Sequence, residues 1–324
     1  MGSYLKSPTL FPYDNFNSQD DARQLTVALQ MKDSSRDAAT IIHILCRRSS
    51  SQRQEIINSY KEQTMRDLYQ DAKSSLSGKF SKVIRSLLRA PFEYLASDIK
   101  KAMAGLGTDE DCLTEVLCSR SNDKIQLITL AFHNRYGRTI QEELEDEYKI
   151  SSEYKELLGM LLSGIRDEKR PPDPEKARKR AETLFVAERN AWSTERKIFM
   201  RLLTHEPVEQ LRVIFDEYRR MSGQSMQEAI QTEFSGDLRN AMLTIVKSAI
   251  NRAQYYAEKL ESAMKGLRFD DDTIIRIIVS RCEIDLDEIK GEYLKIYHKT
   301  LYHSIQTRIS GDYRTAMLAL IGTP

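Results

Sequence analysis

Cysteine is scarce in this chain: the 324 residues include four, at Cys46, Cys112, Cys118 and Cys282. Cysteines this scattered do not build a disulfide framework, and none has the CxxC spacing of a redox or zinc motif. Isolated cysteines of this kind are usually small buried hydrophobic side chains. We therefore expect free thiols and a reducing, cytoplasmic environment.

An excess of charge of either sign is also missing. Lysine and arginine number 49 against 48 aspartates and glutamates, which gives a formal net charge of +1. With so little net charge, the chain has no long-range field that would draw it to nucleic acid or to an anionic membrane. We expect no nucleic-acid partner, and any attraction to phosphate has to be local or mediated by a metal ion.

Long apolar runs are absent. No stretch approaches the roughly 20 apolar residues that cross a bilayer. The start, MGSYLKSPTLF, has neither the basic nor the apolar region of a secretory signal. We expect a soluble protein whose contact with a membrane is peripheral.

Catalytic motifs are missing as well. The sequence has no GxSxG, P-loop or dinucleotide-binding fingerprint, and its five histidines show no metal-ligand spacing. We therefore predict no catalytic residues and no enzymatic activity.

The sequence does contain a fourfold repeat. Ile41, Ile44 and Leu45 form an apolar stripe with the i, i+3, i+4 spacing of a helix face. The stripe recurs at fixed offsets along the chain, as Leu113/Val116/Leu117, Phe199/Leu202/Leu203 and Ile274/Ile277/Ile278. Four copies of a unit of about 70 residues account for nearly the whole sequence.

The fold class follows from the same periodicity. Helical amphipathic spacing dominates and β-branched alternation is scarce, so we predict an all-α protein with about five helices in each repeat. The predicted segments are an N-terminal segment 1–14, repeats 1 to 4 at 15–88, 89–165, 181–247 and 248–324, and a charged linker at 166–180. The prolines of that linker, RDEKRPPDPEKARKR, suggest a connector that divides the molecule into halves.

Function is sought in the polar loops, where the repeats differ. Repeat 2 has the turn MAGLGTDED at 103–111, and only this copy keeps both glycines, Gly105 and Gly107. Glycine reaches backbone conformations closed to other residues, so several carbonyl oxygens can converge on one point. Such carbonyls suit Ca²⁺, which takes about six to eight oxygens, if a carboxylate joins them. Glu147, beyond the next pair of helices, is the candidate carboxylate.

The same turn also has the features of a helix start. Thr108 would be the N-cap, and the acids that follow it would complement the helix dipole. The two interpretations are compatible, because a turn that begins a helix can still expose its carbonyls.

These features resemble the annexin family. The resemblance rests on the four repeats, Glu147, the longer connector after repeat 2, the turn Gly105-Leu106-Gly107-Thr108-Asp109, and the SRSN and SRCEID stretches at 119–122 and 280–285. It implies a curved disc of α-helices whose convex face binds acidic phospholipid through Ca²⁺. It further implies an ion held by the carbonyls of Met103, Gly105 and Gly107 and the carboxylate of Glu147, a weaker neighbouring site at the Thr108 carbonyl and Glu110, and Leu106 at the loop tip facing the lipid.

One departure from the family pattern affects the carboxylate. The loop after Glu147 continues to Lys149-Ile150-Ser151-Ser152 and is two residues longer than its equivalents. If the register slips there, Lys149 stands at the ligand position.

Repeats 1 and 3 depart further from the calcium pattern. In repeat 1, Asp33 and Ser35 replace the glycines and Ser75 replaces the acid. Repeat 3 keeps Glu233 but has lost the glycines, and Trp192 stands at its loop tip. An indole there could lie at the lipid headgroups or pack in the core, and both alternatives stay open.

Repeat 4 places two arginines, Arg268 and Arg308, at ligand positions. A guanidinium repels a divalent ion, so we expect no calcium there. Its planar fork of donors suits a lipid phosphate instead, so both arginines are candidate lipid contacts.

The sequence therefore predicts a peripherally membrane-associated cytoplasmic protein with Ca²⁺ as its cofactor. We expect calcium-dependent binding to acidic phospholipid through one well-formed site in repeat 2, with weakened calcium sensitivity because one bridge lacks the avidity of four. The alternative is a calcium-insensitive helical scaffold that binds a protein partner, or lipid through basic residues. Self-association on membranes stays open.

Overall fold

The computed structural model describes residues 7–30, 37–105, 107–166, 168–189, 196–265 and 269–323. Within these ranges all regular secondary structure is helical, which confirms the all-α prediction. The helices are α1 (Ser18–Gln30), α2 (Ala38–Leu45), α3 (Ser50–Thr64), α4 (Leu68–Ser75), α5 (Gly78–Leu87), α6 (Pro91–Ala102), α7 (Glu110–Cys118), α8 (Asn122–Tyr136), α9 (Ile140–Asp146), α10 (Ser152–Leu162), α11 (Pro174–Arg189), α12 (Arg196–His205), α13 (Val208–Ser222), α14 (Met226–Glu233), α15 (Gly236–Lys265), α16 (Asp271–Arg281), α17 (Leu286–Tyr297), α18 (Leu301–Arg308) and α19 (Gly311–Ile321).

Helix α15 consists of two helices joined at Asn251. A φ of −150° and a ψ of 100° at this residue break the helical path. The Asn251 side chain then caps the second part by accepting a hydrogen bond from the Gln254 N–H at 3.0 Å. With α15 shared between repeats 3 and 4, every repeat has the same five-helix plan.

The core is built from the apolar stripes. All members of the four stripes are buried, and so is one aromatic ring per repeat, at Tyr60, Phe132, Tyr218 and Tyr293. Because the hydrophobic gain scales with the apolar area removed from water, these repeated positions hold each five-helix unit together. They account for architecture and leave the chemistry to the loops.

The third helix of every repeat ends in the same way. The residue that follows it adopts the left-handed conformation, and its N–H closes the last turn, at Met65, Gly137, Gly223 and His298. Glycine takes this conformation without strain, whereas a residue with a Cβ does not. Repeats 1 and 4 therefore carry local strain at a point where repeats 2 and 3 do not.

The chain forms two compact units, which differ from the halves that the sequence predicted. One unit combines Met1–Tyr94 with Tyr256–Pro324, and the other is Leu95–Tyr255. Repeats 1 and 4 thus make up the first unit, and repeats 2 and 3 the second. The linker 166–180 lies inside the second unit, so the prediction that it separates two halves is wrong.

The physical reason is that the linker is packed rather than merely solvated. Arg166 is buried, and its Nη2 donates to the Leu203 carbonyl at 2.6 Å. The main chain of Asp173 exchanges two hydrogen bonds with the side chain of Gln210. The Asp173 carboxylate also caps α11, which starts at Pro174, the favoured place for proline in a helix. The second part of the linker is therefore helix.

The four cysteines are free and buried, as predicted. Burial raises the pKa of Cys46 to about 12. It likewise raises the pKa of Cys282 to about 12. These thiols stay protonated at neutral pH and pack as small hydrophobic groups.

Candidate functional site

The glycine turn of repeat 2 connects α6 to α7. A hydrogen bond from the Asp109 N–H to the Ala102 carbonyl, 2.8 Å long, closes it. Gly105 has a φ of +104°, and no atom within 4 Å would obstruct a Cβ at this residue. Glycine is therefore needed here for its backbone conformation and not for space. Of the other candidate ligands in the turn, Met103 is half-buried and Gly107 is exposed.

The N-cap of α7 is Asp109. Its carboxylate accepts a hydrogen bond from the Cys112 N–H at 2.9 Å, so the prediction of Thr108 as the N-cap is wrong by one residue. The reason is that the turn closes on the main chain of Asp109, which leaves its side chain in reach of the first helical turn. Asp37 and Asp270 cap α2 and α16 in the same way.

Glu147 follows α9 directly. A capping box between Thr139 and Glu142 fixes the start of α9. Beyond the last helical residue, Glu147 is extended, and its Oε1 accepts a hydrogen bond from the Lys149 N–H at 3.2 Å. Counted from the N-cap, Glu147 aligns with the last residue of the fourth helix in the other repeats, which is Ser75, Glu233 or Arg308.

Counted back from the following helix, the alignment is different. In the other repeats the ligand position is followed directly by a buried apolar residue, which is Leu76, Phe234 or Ile309. In repeat 2 the corresponding buried residue is Ile150, and Tyr148 and Lys149 stand between it and Glu147. Tyr148 is 84% exposed, and the Lys149 Nζ lies 5.6 Å from the centre of its ring. The two extra residues face solvent, and Glu147 keeps its position relative to α9.

Negative charge accumulates around the start of α7. Burial raises the pKa of the Glu110 carboxyl above its usual value. Neighbouring carboxylates raise this pKa further, those of Asp237, Asp109 and Glu147. A cation at this place would relieve the repulsion, and Glu147 is close enough to Glu110 to contribute to it.

The donor set determines which ion could fit. Among the residues that the structure describes, no group of three or more His, Cys, Asp or Glu side chains could hold a metal ion. The candidate set of repeat 2 consists instead of main-chain carbonyl oxygens with one carboxylate. Such all-oxygen ligands fit Ca²⁺ and do not suit zinc or copper.

Repeats 1 and 4 close the equivalent region with their own side chains. The Ser75 hydroxyl donates to the Leu29 carbonyl at 3.2 Å. The Arg308 Nη1 donates to the carbonyl of Met264, which is the counterpart of Met103 in repeat 4. A glutamate carboxylate accepts hydrogen bonds, so Glu147 does not offer repeat 2 the donor that Ser75 and Arg308 provide.

Comparison with known proteins identifies the architecture. The family model described as Annexin matches four segments, 20–87, 94–161, 180–245 and 255–320. The chain belongs to the annexin family. This annexin is 38% identical to annexin B10 of Drosophila melanogaster over 322 residues, which cover 99% of each chain. The resemblance drawn from the sequence and the four-repeat fold are thereby confirmed.

Solved annexin structures have the same fold. A structure of annexin III is 34% identical in sequence to this annexin and superposes with a TM-score of 0.94. The match covers 98% of this chain and 97% of the annexin III chain. The structure of calcium-bound annexin (Sm)1 is 29% identical in sequence and has a TM-score of 0.85. The match covers 98% of this chain and 93% of the annexin (Sm)1 chain. The family is known for calcium-dependent phospholipid binding, and its members are generally non-enzymatic membrane-binding proteins. In the described part of this annexin, no helix has the length and apolar character that crossing a membrane requires.

Several candidate residues lie outside the described ranges. They are Leu106 of the repeat 2 turn, Trp192 at the tip of repeat 3, Arg268 of repeat 4, and Asp33 and Ser35 of repeat 1. Their assignments stay predictions. Within the described residues of this annexin, the candidates that can be compared are Met103, Gly105, Gly107, Thr108, Glu110, Glu147 and Arg308.

Sequence reasoning missed a charge difference between the two units of this annexin. In the first unit, Lys79 of α5 forms an ion pair with Asp271 of α16 at 3.0 Å. At the equivalent places the second unit has Asp237 and Glu110, two acids, and Asp237 adds to the effect of burial on the pKa of Glu110. The repeat offsets already align Lys79 with Asp237, so the signal was present in the sequence.

Proposed function

We propose that this annexin binds acidic phospholipid membranes in a calcium-dependent manner through a single well-formed site in repeat 2. The observation that carries the proposal is the change of chemistry at one aligned position. Ser75 and Arg308 are hydrogen-bond donors that bond directly to a carbonyl. Glu147 is an acceptor, and a carboxylate next to carbonyl oxygens is stable when a cation lies between them.

The proposed ligands are the carbonyls of Met103, Gly105 and Gly107 together with the carboxylate of Glu147. The left-handed conformation of Gly105 supports convergence of these carbonyls. The remaining coordination positions would be taken by water and by lipid phosphate, which is how a calcium ion bridges protein and membrane. A second, weaker site would use the Thr108 carbonyl and Glu110, and Leu106 would reach toward the lipid.

The calcium sensitivity should be weakened because repeats 1 and 4 do not offer equivalent sites. Several calcium bridges on one molecule would act at high effective concentration, whereas a single bridge gains no such avidity. We therefore expect this annexin to need more calcium for half-maximal vesicle binding than a relative with four glycine turns. The protein would be cytoplasmic and peripherally attached.

The decisive variant is Glu147→Gln. It removes the only carboxylate of the proposed set and keeps the size of the side chain, so the calcium needed for half-maximal binding should rise on the order of tenfold or more. Sedimentation with phosphatidylserine vesicles across a calcium titration measures this value.

Lys149→Gln is the matched control, since Lys149 is exposed and belongs to the same loop. Removing its positive charge should leave calcium-dependent binding intact or strengthen it. If Glu147→Gln binds like the wild type while Lys149→Asp improves binding, Lys149 occupies the ligand position and the assignment of Glu147 is wrong.

Acidification should weaken calcium binding. Burial and neighbouring carboxylates raise the pKa of Glu110, so its proton is retained to a higher pH than in an ordinary glutamate, and calcium has to displace it. Affinity should therefore rise as pH increases through the raised pKa and level off above it. Calorimetry in buffers of different ionisation enthalpy should detect proton release on calcium binding, and Glu110→Gln should abolish it. Equal proton release in that variant would contradict a role for Glu110.

A calcium-insensitive scaffold is the second candidate. The side-chain closures of repeats 1 and 4, which need no metal, favour it. A scaffold would sediment with vesicles to the same extent with calcium and with EGTA, so the titration above separates the two functions.

A further inference from the structure

Repeat 4 has a positive group at the place where repeat 2 has a proposed metal ligand. Arg308 ends α18, and its Nη1 donates to the Met264 carbonyl near the end of α15. Met264 is the counterpart of Met103, whose carbonyl is a proposed calcium ligand in repeat 2. The guanidinium thus contacts the carbonyl that a metal ion would contact.

The other N–H groups of Arg308 can contact a second ligand. The side chain is exposed, and a guanidinium has five donors in a fixed planar fork, of which the carbonyl uses one. The neighbouring cations are compensated: Lys265 and Lys299 each lie 3.0 Å from the buried carboxylate of Glu261. Of the three cations Arg308, Lys265 and Lys299, Arg308 is therefore the one that lacks a carboxylate partner among the described residues.

We propose that Arg308 takes the place of calcium in repeat 4, bridging the Met264 carbonyl and the phosphate of an acidic lipid without any metal. A calcium ion at a membrane-binding turn contacts carbonyl oxygens on one side and phosphate oxygens on the other. A guanidinium can do the same, because carbonyl and phosphate are both acceptors and phosphate is its preferred partner. The inference rests on the proposed function, since it takes the acidic membrane as the partner of this annexin and assigns it a second, metal-free contact in repeat 4.

The test measures vesicle binding without calcium. Wild-type protein is titrated with phosphatidylserine/phosphatidylcholine vesicles in EGTA at low ionic strength. One basic residue at an anionic surface contributes about fivefold to partitioning, so Arg308→Gln should weaken binding about fivefold. The vesicle affinity of Arg308→Lys should lie between those of the wild type and Arg308→Gln, because an ammonium cannot hold both acceptors in a planar fork.

Arg314→Gln is the charge-matched control. Arg314 is an exposed arginine of α19 in the same repeat, and its loss should weaken binding less than the loss of Arg308, because the attraction of a charge without a fixed phosphate is screened by salt and falls off with distance from the surface. Equal losses in both variants would show a diffuse charge effect and overturn the proposal. No loss in Arg308→Gln would overturn it as well.

Two further arms separate the alternatives. Soluble glycerophosphoserine at millimolar concentration should not bind measurably, and binding as strong as that of vesicles would show a site for free phosphate rather than for lipid. Arg308→Gln should keep a calcium-dependent component of vesicle binding, and Glu147→Gln should keep the calcium-free component, because the two contacts use different residues. A failure at Arg308 is thereby distinguishable from a failure of the proposed function.

Discussion

Asp21→Ala is expected to lower the free energy of unfolding by about 3–5 kcal/mol, the usual effect of removing one partner from a buried ion pair. Arg48 and Asp21 are both buried, and the guanidinium donates to the two carboxylate oxygens at 2.7 and 2.9 Å. The same guanidinium lies 3.9 Å from the centre of the Tyr13 ring. Without the carboxylate, the buried guanidinium would lose its charged acceptor, and an unpaired buried charge is costly.

Asp20→Ala is the matched control for this prediction. Asp20 is the preceding residue of α1, and its ion pair with Arg23 is exposed, so its loss should change stability by less than about 1 kcal/mol. Replacing both members of the buried pair, with Arg48→Met added to Asp21→Ala, should recover part of the loss because no charge is then left unpaired. Urea unfolding followed by circular dichroism measures the free energy of unfolding of Asp21→Ala, Asp20→Ala and the double variant. A double variant less stable than Asp21→Ala would contradict the explanation.

The sequence predicted those features that recur at every copy. The stripe that begins at Ile41 could be found from spacing alone, because a buried helix face needs an apolar residue at the same place in each repeat. The need for glycine at Gly105 was also visible, since its conformation excludes other residues. Both are properties of the local chain and do not depend on what it packs against.

Features that depend on a partner could not be predicted in the same way. The linker 166–180 is rich in charge and proline, yet Arg166 is buried because the Leu203 carbonyl accepts from it. Likewise, Arg308 was expected to repel calcium, but its bond to the Met264 carbonyl depends on how α18 approaches α15. Aligned positions reveal a change of residue, and the new partner has to come from the structure.

Glu206 shows how the same position can require opposite charges. The repeat offsets align it with Arg48, Arg120 and Arg281, so restoring the common residue by Glu206→Arg would look like a repair. Glu206 is nevertheless buried, and its carboxylate oxygens lie 2.7 Å from the Lys176 Nζ and 3.2 Å from the Arg180 Nε. Arginine there would place three positive groups together, and we expect a loss of about 3 kcal/mol or more.

The loss of stability expected for Glu206→Arg can be measured by urea unfolding. Glu209→Arg is the control, because Glu209 belongs to a half-buried pair with Arg212 and its reversal should cost clearly less than the reversal at the buried Glu206. Adding Lys176→Glu to Glu206→Arg restores a pair of opposite charges and should recover part of the loss. Equal stability of Glu206→Arg and wild type would mean that the site selects size rather than charge. In that case arginine would be acceptable in all four repeats, and the inverted charge of repeat 3 would have no structural role.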